Sequence, residues 1–416
     1  MNGSALTGCH QCGLLQRLPP VPAGGVASCG RCRAVLYRNR PNGMDRALAL
    51  TLTGLILFWI ANSFPFLAFE MQGQATRVTL LSEVGELFHQ GKPIIGVLVF
   101  ATSFLAPGLL LVLLAAILVP LRLGTVPVFL PPLLRVLTRL TPWVMVEVFL
   151  LSILVALVKL AGMASIVLGI SLWAIAGLMF VLAAIFANLD FHDLWDRVAP
   201  PSSFPDLWAP GTRPITCHTC GLVNPPPADA GAGADSRCRR CGAFLHPRKP
   251  HSLQRTWALV IAASVCYLPA NLLPIMISGY GGWFRADTIL GGVIYMLLHG
   301  NWGLALIIFL ASILVPMIKI VILFYLLVSV RSHKRPRDRT RLYRVTEVIG
   351  KWSMVDIFVV TIMATLVNLG NWGIVRVGPG AVFFGAVVVL TMLAAMSFDP
   401  RLIWDAAEKR GYAVSG

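Results

Sequence analysis

Long apolar stretches dominate this sequence and constrain its fold more than any other feature. Eight of them are extended enough to cross a bilayer as helices, which takes roughly 20 apolar residues each. They lie near 46–68, 93–121, 143–166, 171–193, 255–277, 302–330, 352–370 and 380–398. Only 12% of the 416 residues are charged, about half the share found in soluble domains. The sequence therefore predicts an integral membrane protein.

Basic charge is distributed in a regular way around these stretches. The net charge is +16, and arginines cluster at 31–46, 122–139 and 331–344. With alternating spans, all three clusters lie on one side of the membrane, as expected for a cytoplasmic face. The basic residues do not form the aromatic-interleaved platform that is typical of nucleic-acid binding. We therefore expect contact with anionic headgroups and no nucleic-acid partner.

The two halves of the chain align with each other at one constant offset, which we call the repeat register. The motif ANSFP at 61–65 recurs as ANLLP at 270–274, and WVMVEVF from Trp143 recurs as WSMVDIF from Trp352, in both cases 209 residues later. Four spans in each half return the chain to its starting side, so the halves are parallel rather than inverted repeats. The sequence predicts an all-α polytopic membrane protein with two tandem units, each a small cysteine-rich head followed by a four-helix transmembrane domain.

The expected domain boundaries follow from this repeat. They are a first head at 1–42, a first membrane domain at 43–198, a linker at 199–214, a second head at 215–250, and a second membrane domain with a short tail at 251–416. Both heads and both termini are expected on the cytoplasmic side.

Two sizeable loops are expected on the outer side, at 70–92 and 278–301. In the first, apolar residues recur at helical spacing, while Glu83, Glu86 and His89 lie elsewhere. The apolar residues are Val78, Leu81, Val84, Leu87 and Phe88. This pattern predicts a short amphipathic helix lying on the outer surface.

Eight of the nine cysteines form two sets with the spacing of four-thiolate zinc sites. The sets are Cys9, Cys12, Cys29 and Cys32 in the first head, and Cys217, Cys220, Cys238 and Cys241 in the second. A site closed by four thiolates has no open coordination position, so it is structural rather than catalytic. Small heads have too little core to fold alone, and zinc binding supplies on the order of 10 kcal/mol. We expect two structural zinc ions; iron fits the same ligands, and disulfides or redox chemistry are less favoured in the cytoplasm.

Ionisable and hydroxyl side chains inside the spans are the candidate functional residues. A charge at the centre of a transmembrane helix costs about 2.5 to 3.5 kcal/mol, so each one requires a partner or a role. Serines lie on the same helix faces as two of the charged residues, and a threonine lies midway along the last span. The candidates for a lipid-binding site or polar network are Ser312, Lys319, Ser353, Asp356 and Thr391, together with Glu147 and Lys159. The alternative is that they only pack helices together or extend to the interface.

The two units differ in these residues. Lys319 aligns with Leu110, whereas Asp356 aligns with Glu147 and Lys159 aligns with Asn368. The second unit alone therefore has a lysine and an acid on neighbouring spans, and we expect the working site there.

These motifs, occurring in the same order twice, resemble the paraquat-inducible protein A family of Gram-negative envelopes. The resemblance rests on the duplicated C-x2-C pairs, ANSFP and ANLLP, EVFLLSILVALVKL at 147–160, and the closing NLDFHDLW and SFDPRLIW. Members of that family are inner-membrane proteins that work with periplasmic MCE-domain proteins, which form hydrophobic tunnels. The resemblance implies that this chain loads or unloads phospholipid for such a tunnel, and that its metal heads are zinc ribbons.

Other functional classes receive less support. No Walker motif is present, so ATP is not expected to be the energy source, and a proton gradient acting through Lys319 and Asp356 is an alternative. The chain has no serine–histidine–aspartate set and no open metal site, so it is not expected to be an enzyme. A structural membrane anchor for the tunnel, without its own lipid site, is the main alternative. A redox or stress-response protein is less favoured.

Overall fold

The fold is a set of long helices in two repeated units. The computed structural model describes residues 6–71, 74–160, 165–199, 214–225, 237–280, 283–300, 302–332, 334–367 and 374–408. Within these ranges, seven helices are long and apolar enough to cross a membrane: Gly43–Ser63, Pro93–Arg122, Leu130–Val158, Ile170–Asn188, Ala305–Ser329, Pro336–Leu366 and Pro379–Ser397. The chain is therefore a multi-pass membrane protein, and seven of the eight predicted spans have a counterpart among these helices.

Unit 1 comprises eight helices and a small sheet. Its elements are α1 (Gly43–Ser63), β5 (Leu67–Met71), β6 (Gln74–Val78), α2 (Leu80–His89), α3 (Pro93–Val99), α4 (Ala106–Arg122), α5 (Leu130–Leu140), α6 (Val146–Leu160), β7 (Ser165–Leu168), α7 (Ile170–Asn188) and α8 (Phe191–Val198). A π-helical segment, Phe100–Leu105, joins α3 to α4 into one long span.

Unit 2 repeats this order of elements. They are α9 (Ser252–Leu272), β10 (Met276–Tyr280), β11 (Trp283–Asp287), α10 (Ile289–Leu298), α11 (Trp302–Ile308), α12 (Val315–Ser329), α13 (Pro336–Ile349), α14 (Val355–Leu366), β12 (Ile374–Val377), α15 (Pro379–Ser397) and α16 (Arg401–Glu408). A π-helical segment again precedes the main part of the second span, at Phe309–Leu314. Helix α9 corresponds to the fifth predicted span and has the same length as α1, 21 residues. It begins with polar residues such as Arg255 and is not among the seven.

Each unit also contains a three-stranded antiparallel sheet, so the chain is mostly helical rather than all-α as predicted. The strand orders are β6-β5-β7 and β11-β10-β12. The sheets follow α1 and α9, which end at Ser63 and Leu272, just before the prolines of the repeated motifs. A side chain at Gly169 would lie 2.0 Å from the Pro65 carbonyl oxygen, and one at Gly378 would lie 2.1 Å from that of Pro274. Only glycine therefore permits the return strand to come this close. We call this end of the helices the sheet end.

The basic connections between the second and third spans are helices. Both α5 and α13 lead directly into the third span of their unit through a short 3-10 turn. Helix α5 is amphipathic, with Leu130, Leu134 and Leu137 buried at helical spacing. The end of the molecule that holds α5 and α13 is opposite the sheets, and we call it the head end.

The two units pack their first and fourth spans in the same way, and a different pair of spans joins the units. The first and fourth spans pack together, α1 against α7 and α9 against α15. The units meet mainly through their third spans, α6 and α14. There the rings of Phe149 and Phe358 lie edge to face with centroids 5.4 Å apart, and Ser152 Oγ donates to the Val355 carbonyl oxygen at 3.0 Å. A ring contact and a hydrogen bond therefore both cross this interface.

Two small heads lie at the head end. In the first, two hairpins pair β1 (Leu6–Gly8) with β2 (Leu15–Arg17) and β3 (Val26–Ser28) with β4 (Val35–Arg38). The second has the hairpin of β8 (Ile215–Thr216) and β9 (Val223–Asn224), and an isolated bridge between Arg237 and Phe244. The predicted linker at 199–214 lies almost wholly outside the described residues.

Candidate functional site

Each head gathers four cysteine sulfurs around one point. All ligand atoms within each set lie within 4.8 Å of one another, and the two sets are the predicted ones: Cys9, Cys12, Cys29 and Cys32, and Cys217, Cys220, Cys238 and Cys241. Measured pairs of sulfurs are 3.5 to 3.6 Å apart. A disulfide needs about 2.05 Å, whereas four sulfurs around a tetrahedral zinc at about 2.3 Å lie roughly 3.8 Å apart. The residues therefore fit a tetrahedral metal ion and not disulfides.

The local backbone explains why two intervening residues suffice. In all four knuckles the first cysteine donates its N–H to the residue five positions later, and its carbonyl accepts from the residue four positions later. This turn needs a left-handed residue after the second cysteine, which is Gly13, Gly221 or Gly242 in three knuckles. The fourth knuckle uses Arg33, with φ 57°. Gly30, which lies inside this knuckle, does not take the left-handed conformation.

The metal cluster of the first head contacts the membrane domain of unit 2. Arg344 of α13 donates to the Cys32 carbonyl at 3.0 Å, and its Nη2 lies 3.4 Å from the Cys32 sulfur. The Arg31 guanidinium stacks over the Trp404 ring of α16 at 4.5 Å. The chain then returns to its own unit, where the Arg38 N–H donates to Asp190 at 2.7 Å. The first head therefore connects the two units.

The second head connects the units in the opposite direction. Arg240, next to a metal-ligand cysteine, pairs with Asp196 of α8 at 2.8 Å and donates to the Ala199 carbonyl at 2.7 Å, both in unit 1. Arg248 pairs with Asp405 of α16 in unit 2. Grouping each head only with the spans that follow it in sequence misses these contacts, because nothing in a repeat register indicates which copy a head packs against.

A buried ion pair lies beneath the second head. Arg401 donates to both carboxylate oxygens of Asp399, at 3.0 and 2.9 Å, and contacts the ring of His218. Burial opposes ionisation of Asp399, but the hydrogen bonds and charge of Arg401 prevail and lower the pKa of this carboxyl to about 2. Burial and the Arg401 charge lower the pKa of His218 to about 4. The imidazole is therefore neutral at neutral pH.

The five polar residues predicted in unit 2 are all buried: Ser312, Lys319, Ser353, Asp356 and Thr391. The Lys319 ammonium donates to Thr391 Oγ1 at 2.9 Å and to the Gly350 carbonyl at 3.4 Å. It makes no ion pair with Asp356 in the described residues, so the two do not neutralise each other directly. Ser312 belongs to the π-helical segment, which contacts the 3-10 turn that holds Ser353. Among the described residues, neither serine hydroxyl has a hydrogen-bond partner.

The matching positions in unit 1 are mostly apolar. Lys319, Ser353 and Thr391 correspond to Leu110, Val144 and Leu182, and all three apolar residues are buried. Ser103 corresponds to Ser312, and its hydroxyl and the Asn62 side-chain oxygen also have no partner in the described part of the chain. Both line a small, otherwise mostly apolar cavity of unit 1.

The two candidates in unit 1 lie on α6. Glu147 is half-buried in its first turn and Lys159 is in its last turn. The side chain of Lys159 falls outside the described residues. The expectation that these two residues belong to a polar network therefore stays a prediction.

One buried acid was not selected from the sequence. Glu83 was placed on the polar side of an outer amphipathic helix, yet in α2 it is fully buried with Leu80 and Leu87, while Leu81 and Phe88 are half exposed. Leu87 belonged to the expected apolar face and Glu83 did not, so the expected face was wrong in part. The spacing of Leu80, Glu83 and Leu87 would have indicated the buried face, but a carboxylate on it argues against burial unless a second unit is known to cover it.

Comparison with known proteins gives a consistent picture. The model of the family described as paraquat-inducible protein A matches residues 44–199 and again 253–408. The chain is 35% identical over 407 residues to the intermembrane transport protein PqiA of Escherichia coli strain K12, covering 95% of each chain. It is also 35% identical over 409 residues to the lipophilic envelope-spanning tunnel protein A of that strain, covering 96% of this chain and 91% of the relative. A probable intermembrane transport protein of Haemophilus influenzae is 28% identical over 406 residues. No solved structure matches the chain significantly.

Proposed function

The chain belongs to the paraquat-inducible protein A family, and on that premise we propose that it is the inner-membrane component of a lipid transport system. It loads or unloads phospholipid for a periplasmic MCE-domain tunnel protein. The names of its relatives, intermembrane transport protein and envelope-spanning tunnel protein, support transport between membranes. In this proposal the chain has no enzymatic activity.

The proposed orientation has the head end in the cytoplasm. Helix α13 begins with PRDRTR and contacts the first head through Arg344, so the basic charge and the metal heads occupy one end of the molecule. The positive-inside rule favours the cytoplasm for that end. The sheets, α2 and α10 then face the periplasm, where a tunnel protein docks. Helix α9 serves as the first span of unit 2 and completes the set of eight, because it packs on α15 as α1 packs on α7.

A single observation supports a lipid site in unit 2. Lys319 is buried in α12, and its described hydrogen-bond partners, Thr391 and Gly350, are both uncharged. An ammonium has three donors, and the described partners of Lys319 use two of them. The hydroxyls of Ser312 and Ser353 also have no hydrogen-bond partner among the described residues. A buried cation with neutral partners favours binding of an anion. We propose that this anion is the phosphate of a phospholipid whose acyl chains lie between helices.

The metal heads have a structural role in this proposal. Each four-cysteine set would hold one zinc ion with no position open for a substrate. The bound ion would supply folding free energy to heads that have little core of their own. Since each head contacts both units, it also fixes their separation at the cytoplasmic end.

Native mass spectrometry with lipid identification tests the proposal. Wild type is compared with Lys319→Ala and Ser312→Ala, at matched zinc content and folding. The control is Ser103→Ala, the equivalent serine of unit 1. We expect phospholipid to co-purify with wild type and with the control, and to be lost from the Lys319 variant and reduced in the Ser312 variant.

Two results would contradict the lipid site. Equal lipid occupancy in all four proteins would show that the cluster does not hold the headgroup. Transfer of a fluorescent phospholipid from nanodiscs to the tunnel protein, unchanged by Lys319→Ala, would show that the chain is an anchor and that lipid enters the tunnel directly.

A further inference from the structure

We propose that Glu83 is a proton-binding site between the two units, and that loss of its proton loosens the contact between α2 and α14. The proposal concerns the sheet end of the unit interface and is independent of the lipid site around Lys319. It rests on the hydrogen-bond geometry of one buried carboxyl.

Helix α2 of unit 1 docks onto unit 2 at two points. Near its start, Glu83 Oε1 lies 2.5 Å from Thr361 Oγ1 of α14. Just after its end, the Gln90 side-chain oxygen accepts the Val377 N–H of β12 at 3.0 Å. Between these points Leu87 is fully buried. The docked helix therefore encloses Glu83 against unit 2.

Hydrogen counting favours a protonated carboxyl. Thr361 has a single hydroxyl hydrogen, yet its oxygen lies near both Glu83 and the Phe358 carbonyl, the latter at 3.0 Å. If Glu83 is protonated, it donates to Thr361 and Thr361 donates to Phe358, so both contacts are complete hydrogen bonds. If Glu83 is ionised, the carboxylate and the Phe358 carbonyl compete for the single hydroxyl hydrogen of Thr361. Its second oxygen, Oε2, has no partner among the described residues.

The surroundings provide little compensation for a negative charge. Burial raises the pKa of Glu83 to about 8, and the Thr361 hydrogen bond offsets part of that rise. The ionisable groups on the elements packed around it are Glu86 and His89 on α2, Lys92 before α3, Asp356 on α14, and Arg376 on the β12 strand that Gln90 contacts. None of these charges is a cause of the shift.

The sign of the pH dependence of α2 docking follows from the difference between the Glu83 pKa in the docked state and its ordinary value. Below the ordinary pKa of 4.5, docked and undocked states are both protonated, so docking is independent of pH. Between 4.5 and about 8 the undocked carboxyl ionises while the docked one keeps its proton. Docking therefore weakens by about tenfold per pH unit across that window. Above about 8 both states are ionised and the dependence ends.

The repeat contains this site only once. The position of Glu83 is Gly292 in unit 2, and Thr361 corresponds to Ser152. Ser152 donates instead to the Val355 backbone carbonyl, an acceptor that cannot titrate. One proton per molecule is therefore expected at this interface.

Two measurements on the full-length protein in lipid nanodiscs test the inference. Infrared difference spectra of wild type against Glu83→Gln, taken below pH 8, should show the C=O stretch of one protonated carboxylic acid. Hydrogen exchange of segment 80–90 should be similar in both proteins near pH 5 and faster in wild type than in Glu83→Gln near pH 8. Comparing the two proteins at each pH cancels the intrinsic pH dependence of exchange.

A neighbouring acid provides the control. Glu86→Gln changes a half-buried carboxyl on the same helix, one that accepts from the Gln90 side chain, and should keep both wild-type signatures. If Glu83→Gln does not fold, Thr361→Val replaces the hydroxyl with a methyl group and should shift the pH at which the acid band disappears. The proposal is overturned if no acid band is assigned to Glu83, if the Thr361→Val titration equals that of wild type, or if segment 80–90 exchanges identically in wild type and Glu83→Gln throughout.

Discussion

The two units have the same order of helices and strands, but they bury different ionisable groups at different levels along the helices. Unit 2 holds an ammonium, Lys319, within its second span, where unit 1 has Leu110. Unit 1 holds a carboxyl, Glu83, at the sheet end, where unit 2 has Gly292. Duplication kept the helix packing, which depends on many small contacts, and let single polar positions diverge. A pseudo-symmetric scaffold can in this way carry two different ionisable sites, each present once.

The outer helices show the consequence for the surface. Helix α2 is docked against α14 of unit 2, whereas α10 packs mainly on α11 and the π-helical segment of its own unit. Leu290, Ile294 and Leu298 of α10 are consequently exposed, facing lipid if the sheet end lies at the membrane surface. The equivalence of the two units is thus broken at the sheet end, whereas the equivalent residues Phe149 and Phe358 still meet at the third-span interface.

The largest expected effect comes from removing a metal ligand. Cys32→Ser should reduce the metal content from two ions to one and destabilise the first head by on the order of 10 kcal/mol. Because Arg344 contacts Cys32, we expect new protease cleavage in α13 of unit 2. Metal analysis and limited proteolysis check this, with Cys266→Ser as the control that keeps both ions. Cleavage confined to unit 1 would show that the head does not support the opposite unit.

The next effect distinguishes the acids that follow the fourth spans. Asp399→Ala leaves Arg401 buried and unpaired, which should cost about 3 to 5 kcal/mol. Asp190, its partially exposed counterpart, accepts backbone N–H groups, and Asp190→Ala should cost about 1 kcal/mol. Unfolding in denaturing detergent measures both.

The pH dependence of the stability of wild type and of Asp399→Ala provides a second check. Since the folded pKa of Asp399 is below its ordinary 3.8, its contribution to stability is complete above that value and declines as the pH falls toward 2. The wild-type protein should lose this contribution on acidification, and Asp399→Ala should not. Equal costs for the two alanine variants would remove this difference between the units.

Two substitutions, Leu110→Lys in unit 1 and Lys319→Met in unit 2, test whether the environment of Lys319 is specific to unit 2. Leu110→Lys places an ammonium where Thr391 is replaced by Leu182, so we expect a loss of about 2.5 to 3.5 kcal/mol. Lys319→Met should be close to neutral in stability, because a buried charge is replaced by an apolar chain of similar volume, while lipid occupancy is lost. If both substitutions change stability equally, the two spans are equivalent environments.

The smallest effect concerns the shared interface. Ser152→Ala removes one hydrogen bond from α6 to the Val355 carbonyl and should cost about 1 kcal/mol. Thr361→Val, at the matching position of unit 2, should cost more, because it also removes the one hydrogen-bond partner that the Glu83 carboxyl has among the described residues. A larger loss for Ser152→Ala would place the main polar contact between units on the other side of the interface.

Sequence alone determined the features that depend on local pattern. Apolar length gave seven of the spans because a bilayer sets a minimum helix length. Cysteine spacing gave both metal sites because ligands two residues apart are brought together by a single turn. The repeat register identified the two units. It also drew attention to Lys319, because a charge inside an apolar span is costly and requires a partner or a role.

Only the tertiary structure decided which surfaces meet, because contacts distant in sequence leave no local pattern. The three-stranded sheets form from strands separated by about half a unit, and their short apolar sequences also suit helix ends. Repeat position does not specify the partner of a head, so the contact of Arg344 with Cys32 was not predictable. Glu83 was expected on the polar side of an outer helix, yet α14 covers it. The sequence placed Lys319 and Asp356 on neighbouring spans, but only the structure identified Thr391 and Gly350 as partners of the ammonium. The chain's periodicity records that a side chain is buried or exposed on average, whereas the identity of its neighbour is fixed by packing.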